Sequence, residues 1–291
     1  MWLLFSAASA VFDAGKHILS KQTLSRDKVH PVTAAWALAF FSLPLTFPLA
    51  LWNWPFALDQ AFWLAASIAL AMDFVSMLMY AKAIQSSDIS LSIPMLAFVP
   101  LLLLVSGYLI NAESPTLLGI TGVCMIVAGA YFLHFDYRRI HPLQPFFAIF
   151  KDQGTALMFG VAIIWGISSA LHKRAIVHSN PFFYTGFSAV VLTVALTPLA
   201  VMFGRKSLIK AWRKKQLKHL AAIGLFDGAA ILMESLGQSI AYSAFVLAIK
   251  RTGIMLTAIG GAVFFHEKIK DRLLPIGVML VGVLAIAVSK F

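Results

Sequence analysis

Long apolar runs separated by polar breaks fill this chain from one end to the other. Ten runs have roughly 20 residues each, and most of the breaks between them are short. A helix of that length crosses the ~30 Å hydrocarbon core of a bilayer. We therefore predict ten transmembrane helices, at about 2–20, 31–51, 61–84, 89–110, 116–134, 155–177, 181–203, 219–241, 243–265 and 272–289.

The longest polar break, at 135–154, divides the chain into two sets of five runs that match in order and spacing. The matched segments are Ile18–Lys21 with Ala170–Lys173, His30-Pro31 with Asn180-Pro181, and Gly122…Gly129 with Pro275…Gly282. A copy with an odd number of spans must insert upside-down, as in many secondary transporters. We predict an all-α integral membrane fold of ten transmembrane helices in two inverted five-helix repeats. The first repeat is 1–134 (helices 1–5), a connecting loop is 135–154, and the second repeat is 155–291 (helices 6–10).

Composition supports a membrane protein: 60% of the residues are hydrophobic and 12% are charged, against ~45–50% and ~25% in soluble domains. The single cysteine, Cys124, lies inside an apolar run, so no disulfide framework is expected. The segment Met1–Ala10 ends in small residues like a signal peptide. It has no basic region before it and the apolar run continues, so we expect it to be part of the first helix.

The net charge of +11 reflects loops rather than a nucleic-acid site, and we expect no nucleic-acid partner. The loops after helices 1, 3, 5, 7 and 9 hold 17 of the 23 lysines and arginines, whereas the opposite side holds three. The positive-inside rule then places these basic loops in the cytoplasm and both termini outside. The predicted location is the cell membrane, either a plasma or an inner membrane.

Ionisable side chains inside the predicted helices are candidate functional groups, because the bilayer makes them costly. Each of three helices places its polar residues on one face. Helix 1 has Asp13, Lys16 and His17; helix 3 has Asp73 and Tyr80; helix 8 has Asp227, Glu234 and Gln238. Trp165 in helix 6 could stack on a substrate. The alternative for the charged residues is a structural one, in which they neutralise one another so that the helices can insert.

Helix 9 carries the adjacent cations Lys250 and Arg251. Each costs ~2.5–3.5 kcal/mol near the centre of a spanning helix, so a counter-charge or water must lie close. Helix 8 precedes helix 9 almost without a loop and is the expected neighbour. We therefore predict that Glu234 pairs with Lys250 or Arg251, and that Asp227 stays free for protons or substrate.

The sequence resembles the drug/metabolite transporter superfamily in its EamA-type form of two five-helix repeats. The residues that carry the resemblance are Trp165-Gly166 with Lys173, Ile249–Thr252, Phe264–Lys268 and the glycine pattern of helices 5 and 10. Helix 1 departs from the pattern, with Phe12-Asp13 at the place of Trp165-Gly166. The resemblance implies export or exchange of a small solute through a central cavity lined mainly by helices 1, 3, 4, 6, 8 and 9. Relatives usually have both termini inside, and there we follow the charge distribution instead.

The resulting prediction is a secondary transporter, an exporter or exchanger, for a small polar or amphipathic metabolite that works by alternating access. Its partners are the small-molecule substrate and the lipid bilayer, while protons and a homodimer stay open. No cofactor or metal is expected, because the chain has no glycine-rich phosphate loop and no Cys/His cluster. The alternatives are a flippase of the same fold for a lipid-linked headgroup, and a membrane-embedded enzyme or assembly factor.

Overall fold

The computed structural model describes residues 1–27, 30–55, 57–86, 93–133, 147, 149–213, 217–256 and 273–289. Within these ranges the backbone forms ten α-helices and no strand. They are α1 (Trp2–Asp27), α2 (Pro31–Trp52), α3 (Gln60–Ser86), α4 (Val99–Asn111), α5 (Leu117–Leu133), α6 (Gln153–Val177), α7 (Pro181–Arg213), α8 (Leu217–Gln238), α9 (Ser243–Arg251) and α10 (Leu273–Val288).

Most of these helices are apolar enough to lie in a bilayer. Helices α2, α3, α6, α7 and α8 each have a stretch long and apolar enough to cross it, and α4, α5 and α10 are shorter apolar helices. Large apolar side chains such as Leu51, Val105 and Leu284 are exposed on the outside of the bundle, where lipid would cover them. The predicted class is confirmed: the chain is an all-helical protein that spans the membrane several times.

The helices pack in pairs that relate the two halves of the chain. Helix α2 packs along α7 and α5 along α10, while α3 packs on α6 and α1 packs on α8. The counterpart of each helix in the other half lies five helix numbers away. Under this mapping the pairs α2–α7 and α5–α10 become themselves, and α3–α6 becomes α8–α1. This packing is consistent with two related five-helix halves. The division at 135–154 stays a prediction, because residues 134–146 and 148 lie outside the described part.

Matched glycines bring the backbones of α5 and α10 together. A Cβ atom on Gly122 would lie 2.8 Å from the carbonyl oxygen of Gly282, and one on Gly282 would lie 2.7 Å from that of Gly122. Gly129 approaches the carbonyl oxygen of Pro275 in the same way, at 2.7 Å. Small residues allow such close packing between helices in a membrane, where dispersion forces replace the hydrophobic effect.

Gly282→Ala should destabilise the protein by about 1–3 kcal/mol, because the new methyl group overlaps a backbone that cannot move aside. Gly277→Ala in the same helix is the matched control, since a Cβ atom there has nothing within 4 Å. Thermal unfolding in detergent measures both. Equal melting temperatures for the two variants would contradict the tight crossing.

Four helices differ clearly from the sequence prediction. Helix α1 runs to Asp27 and α7 to Arg213, beyond the predicted ends at 20 and 203. The other two are α4 and α9. The run at 89–110 begins, in its described part, with a 3-10 turn at Ile93–Phe98, and α4 starts at Val99 with Pro100 next, where a missing N–H costs nothing. Helix α9 ends at Arg251. Thr252 turns there, with its N–H and its hydroxyl both donating to the carbonyl of Ile249. The predicted helix at 243–265 is therefore interrupted, and its residues 257–265 lie outside the described part.

Candidate functional site

An ion pair on α1 lies inside the bundle and reaches α8. Lys16 Nζ is 2.6 Å from Asp13 Oδ1, one turn away, and 3.1 Å from Asp227 Oδ1. The two helices are also joined by the Ser9 hydroxyl, which donates to the carbonyl of Ala230 over 2.8 Å. Lys16 thus holds two carboxylates, one from each half of the chain.

Lys250 pairs with Glu234, which is the first of the two pairings that the sequence predicted. Lys250 Nζ is 2.6 Å from Glu234 Oε2 and 3.9 Å from Asp13 Oδ1, so it links α9 to both α8 and α1. Gln238 donates its side-chain N–H to Glu234 Oε1 over 3.2 Å. The pair Lys250 and Arg251 occupies the last turn of α9, where the helix dipole and free carbonyl groups stabilise cations. The break after Arg251 therefore offsets part of the cost that a continuous helix would carry.

Arg251 is placed differently from its neighbour. Its Nε atom is buried and has no hydrogen-bond partner within the described residues. The charges of Arg251, Lys16, Asp13 and Asp227 all act on the hydroxyl group of Tyr80 on α3. Tyr80 is therefore the residue of α3 on which the charges of this centre act.

Trp165 on α6 packs with Tyr80 rather than standing free. The two rings are stacked with 5.7 Å between their centroids, and Trp165 Nε1 donates to the Ser76 hydroxyl over 2.8 Å. The neighbouring Gly166 lets α4 pack closely against α6, because a Cβ atom on residue 166 would lie only 2.6 Å from Leu102. Trp165 thus holds the ring of Tyr80, and Gly166 allows the close crossing of α4 and α6.

Asp73 forms a side-chain contact that the sequence pattern did not predict. Its Oδ2 atom is 2.8 Å from His172 Nε2 on α6, and His172 Nδ1 is 2.5 Å from the hydroxyl of Tyr184 on α7. His172 is 99 residues from Asp73 in sequence, so no local spacing links them. This cluster, Asp73–His172–Tyr184, joins three helices.

Asp227 does not stay free, and that prediction was wrong. It binds Lys16 because α1 packs directly on α8, a contact between distant parts of the chain. Asp227 also borders a cavity of about 40 Å³ between α2, α3, α7 and α8. The hydroxyl-bearing residues that line the cavity are Ser42, Thr46, Thr185 and Ser188. Helices α1, α3, α6, α8 and α9, which are among those expected to line a central cavity, each contribute a polar or charged side chain to the contacts described here; the cavity itself stays a prediction.

A separate buried carboxylate fixes the start of α9. Glu113 accepts hydrogen bonds from the N–H and the hydroxyl of Ser243, at 3.1 and 2.9 Å, and lies 2.6 Å from Lys173 Nζ. Lys173 also donates to the carbonyl of Ala241 and lies over the ring of Tyr242. Glu113 is 4% exposed. Three connections converge on one buried side chain that the sequence reading did not select as a site residue.

A second His–Asp pair lies at the end of the bundle, outside the spans. His178 Nδ1 is 2.6 Å from Asp59 Oδ2, and the N–H of Phe62 donates to Asp59 Oδ1. The Phe62 hydrogen bond, with His178, lowers the pKa of Asp59 below its usual value. The contribution of ionised Asp59 to the free energy of unfolding is therefore present above the unfolded pKa of about 3.9, and it is lost as the pH falls through the folded pKa.

Most of the predicted site residues meet in one charged centre. Within the described residues, Asp13, Lys16, Asp227, Glu234, Gln238 and Lys250 form a connected set, and Tyr80, Trp165 and Arg251 border it. Asp73 joins through His172, on which the charge of Glu234 also acts. The side chain of His17 lies outside the described part, so its predicted role stays a prediction. Whether the set binds substrate also stays a prediction.

Apolar helices around a centre of buried charges from both halves define a polytopic membrane protein with a polar interior. The model of the EamA-like transporter family matches residues 1–135 and 152–288. The chain belongs to the EamA-like transporter family, and it is a membrane transporter of the drug/metabolite transporter type.

Solved structures share the fold. One of them, titled "Crystal structure of protein", superposes with a TM-score of 0.74 at 12% sequence identity. The match covers 98% of this chain and 95% of the other chain. At that identity the likeness shows the fold alone. A comparison with curated protein sequences gave no match.

Proposed function

We propose that the protein is a secondary transporter that exports or exchanges a small polar or amphipathic metabolite by alternating access. The observation that carries this proposal is the set of ion pairs that joins α1 to α8 and α9 inside the bundle. Lys16 holds carboxylates of both halves, and Lys250 lies within 3.9 Å of Asp13 across the same boundary. In the proposed cycle these pairs exchange partners as the two halves move, and substrate replaces one partner, since ionisable groups inside a membrane commonly mark substrate pathways.

The substrate contacts proposed here are the groups that border the pairs. Arg251 has a buried Nε atom without a partner in the described part of the chain, and its charge acts on Tyr80, whose ring stacks on Trp165. A charged centre that contains this cation and borders a pair of stacked aromatic rings suits a metabolite with an acidic group and a flat or apolar part.

The test is counterflow in proteoliposomes against a panel of metabolites, with and without a pH gradient. Arg251→Ala and Asp227→Asn should each lower the transport rate about tenfold or more, because a hydrogen bond to a charged group contributes about 1.5–3 kcal/mol. Lys82→Ala is the matched control, since Lys82 is exposed at the end of α3. Wild-type rates in both site variants would refute the site. A fluorescent lipid in the same vesicles tests the flippase alternative.

The proposed orientation follows the loop charges, with 17 lysines and arginines on one side and three on the other. Both termini then lie outside the cytoplasm. A reporter that is active only in the cytoplasm should be inactive when fused after Phe291, and active when inserted between α7 and α8. The reverse pattern would show the orientation usual among relatives.

A further inference from the structure

The Asp73–His172–Tyr184 cluster connects the two halves at a place where the other charged pairs do not. Helix α3 of the first half contributes Asp73, and helices α6 and α7 of the second half contribute His172 and Tyr184. The α3–α6 contact is the counterpart of the α8–α1 contact, where Asp227 binds Lys16. In each of these two related contacts, an aspartate of one helix binds a basic side chain of the other.

The two basic side chains differ in chemistry. Lys16 stays protonated beside its two carboxylates, whereas a histidine changes charge between about pH 5 and 8. The charged centre contains the four carboxylates Asp13, Asp73, Asp227 and Glu234 and the three cations Lys16, Lys250 and Arg251. With His172 neutral these described groups sum to one negative charge, and with His172 protonated they sum to zero.

We propose that His172 is the proton-binding site of the transporter, and that its protonation sets how firmly α3 and α6 hold the two halves together. This inference rests on the proposed transport function and adds a proton to it. In the neutral state His172 Nε2–H donates to Asp73, and Nδ1 accepts from the Tyr184 hydroxyl. When a proton binds at Nδ1, both ring nitrogens donate, and the Tyr184 hydroxyl turns its own proton away and accepts.

The protonated form makes the stronger contact between α3 and α6. Its hydrogen bond to Asp73 joins two opposite charges, and charge-assisted hydrogen bonds are roughly twice as strong as neutral ones. Loss of the proton leaves an aspartate facing a neutral ring in a low-dielectric interior. The conformation in which the halves are together at α3–α6 is therefore favoured at low pH.

The groups around His172 agree with this assignment. Helix α3 faces it with Asp73, α7 with Tyr184, and the charge of Glu234 on α8 acts on it. Glu234 is bound to Lys250 of α9. On α4, Tyr108 is 62% exposed on the outer surface, and the neighbours of His172 on α6, Lys173 and Arg174, are bound to Glu113 and the carbonyl of Ile110.

The experiment uses the full chain in nanodiscs, without substrate. Spin labels at Ala57 and Ile240, in a Cys124→Ser background, report the distance between the halves by pulsed electron resonance. We expect the wild-type distance distribution to shift with a single midpoint between about pH 5 and 8. His172→Gln should lose the shift and keep the high-pH distribution. His172→Lys, which keeps a positive charge, should keep the low-pH distribution at every pH.

The matched control is His178→Gln. His178 also pairs with an aspartate, Asp59, but at the exposed end of the bundle, and its removal should leave the shift and its midpoint unchanged. A ¹⁵N-histidine NMR titration of wild-type protein, with the signal of His172 assigned by its loss in His172→Gln, should give the same midpoint. If His172→Gln does not fold, the loss of the same signal in His172→Lys supplies the assignment.

Three results would overturn the inference: no shift in wild-type protein, the wild-type shift in both His172 variants, or an NMR midpoint that differs from the distance midpoint. Failure of the proposed function has another signature. If no metabolite is transported while the shift and its loss in His172→Gln persist, the proton site stands and the transport proposal falls. If transport occurs without any pH-dependent shift, only the proton site falls.

Discussion

Lys250→Ala lowers the free energy of unfolding by up to about 3–5 kcal/mol, because it leaves Glu234, which is only partly exposed inside the bundle, with only Gln238 as a described partner. Glu234→Ala costs less, since Lys250 keeps Asp13 at 3.9 Å. The double variant recovers much of the loss, because no unpaired charge remains at that place. The order of stabilities is wild type, then Glu234→Ala and the double variant, then Lys250→Ala.

Denaturant unfolding in mixed micelles measures this cycle. The coupling free energy between the two positions should be clearly favourable, and Lys82→Ala should leave stability within experimental error because its side chain is exposed. If Lys250 serves substrate alone, Lys250→Ala folds with wild-type stability and loses transport. Additive losses in the double variant would show that the pair contributes nothing to folding.

Glu113→Ala is the second change with a large expected effect, also about 3–5 kcal/mol. It removes the acceptor of the Ser243 N–H and hydroxyl at the start of α9, and it leaves Lys173 without its carboxylate. Glu113→Gln keeps an acceptor for Ser243 but loses the charge, so its cost should be smaller. Adding Lys173→Met to Glu113→Gln should restore part of the stability, since the unpaired cation is then gone.

Thermal unfolding of the purified variants checks this order. Asp59→Ala is the matched control, because Asp59 also accepts from the first turn of a helix and pairs with a basic side chain, but at an exposed site. It should lower the melting temperature much less than Glu113→Ala. Equal decreases in melting temperature for the two variants would mean that the burial of Glu113 does not increase its contribution to stability.

Local sequence patterns predicted the features that depend on one helix or on consecutive helices. Apolar run lengths gave the ten helices, and the i, i+3 spacing of Asp13 and Lys16 gave their ion pair. The near absence of a loop between helices 8 and 9 led to the Glu234–Lys250 pair, which lies 16 residues apart.

Contacts between helices distant in sequence could not be predicted in the same way. Asp227 binds Lys16 across 211 residues, Glu113 binds Ser243 across 130, and Asp73 meets His172 across 99. Each depends on which helices pack side by side, and hydropathy carries no such information. The break at Thr252 has a local cause in its hydrogen bonds to Ile249, but an apolar run of spanning length hid it.

The pairing of charges in the centre has an electrical consequence. An isolated charge that crosses the whole membrane field does work of about 2.3 kcal/mol per 100 mV. Lys250 with Glu234, and Lys16 with its carboxylates, largely cancel within each pair, so the field gains little when the helices that carry them move. With His172 protonated the described centre is neutral, and without the proton it carries one net charge. In the proposed transport cycle the membrane potential therefore acts mainly on the deprotonated form, and the voltage dependence of the proposed helix movements would report how many protons are bound.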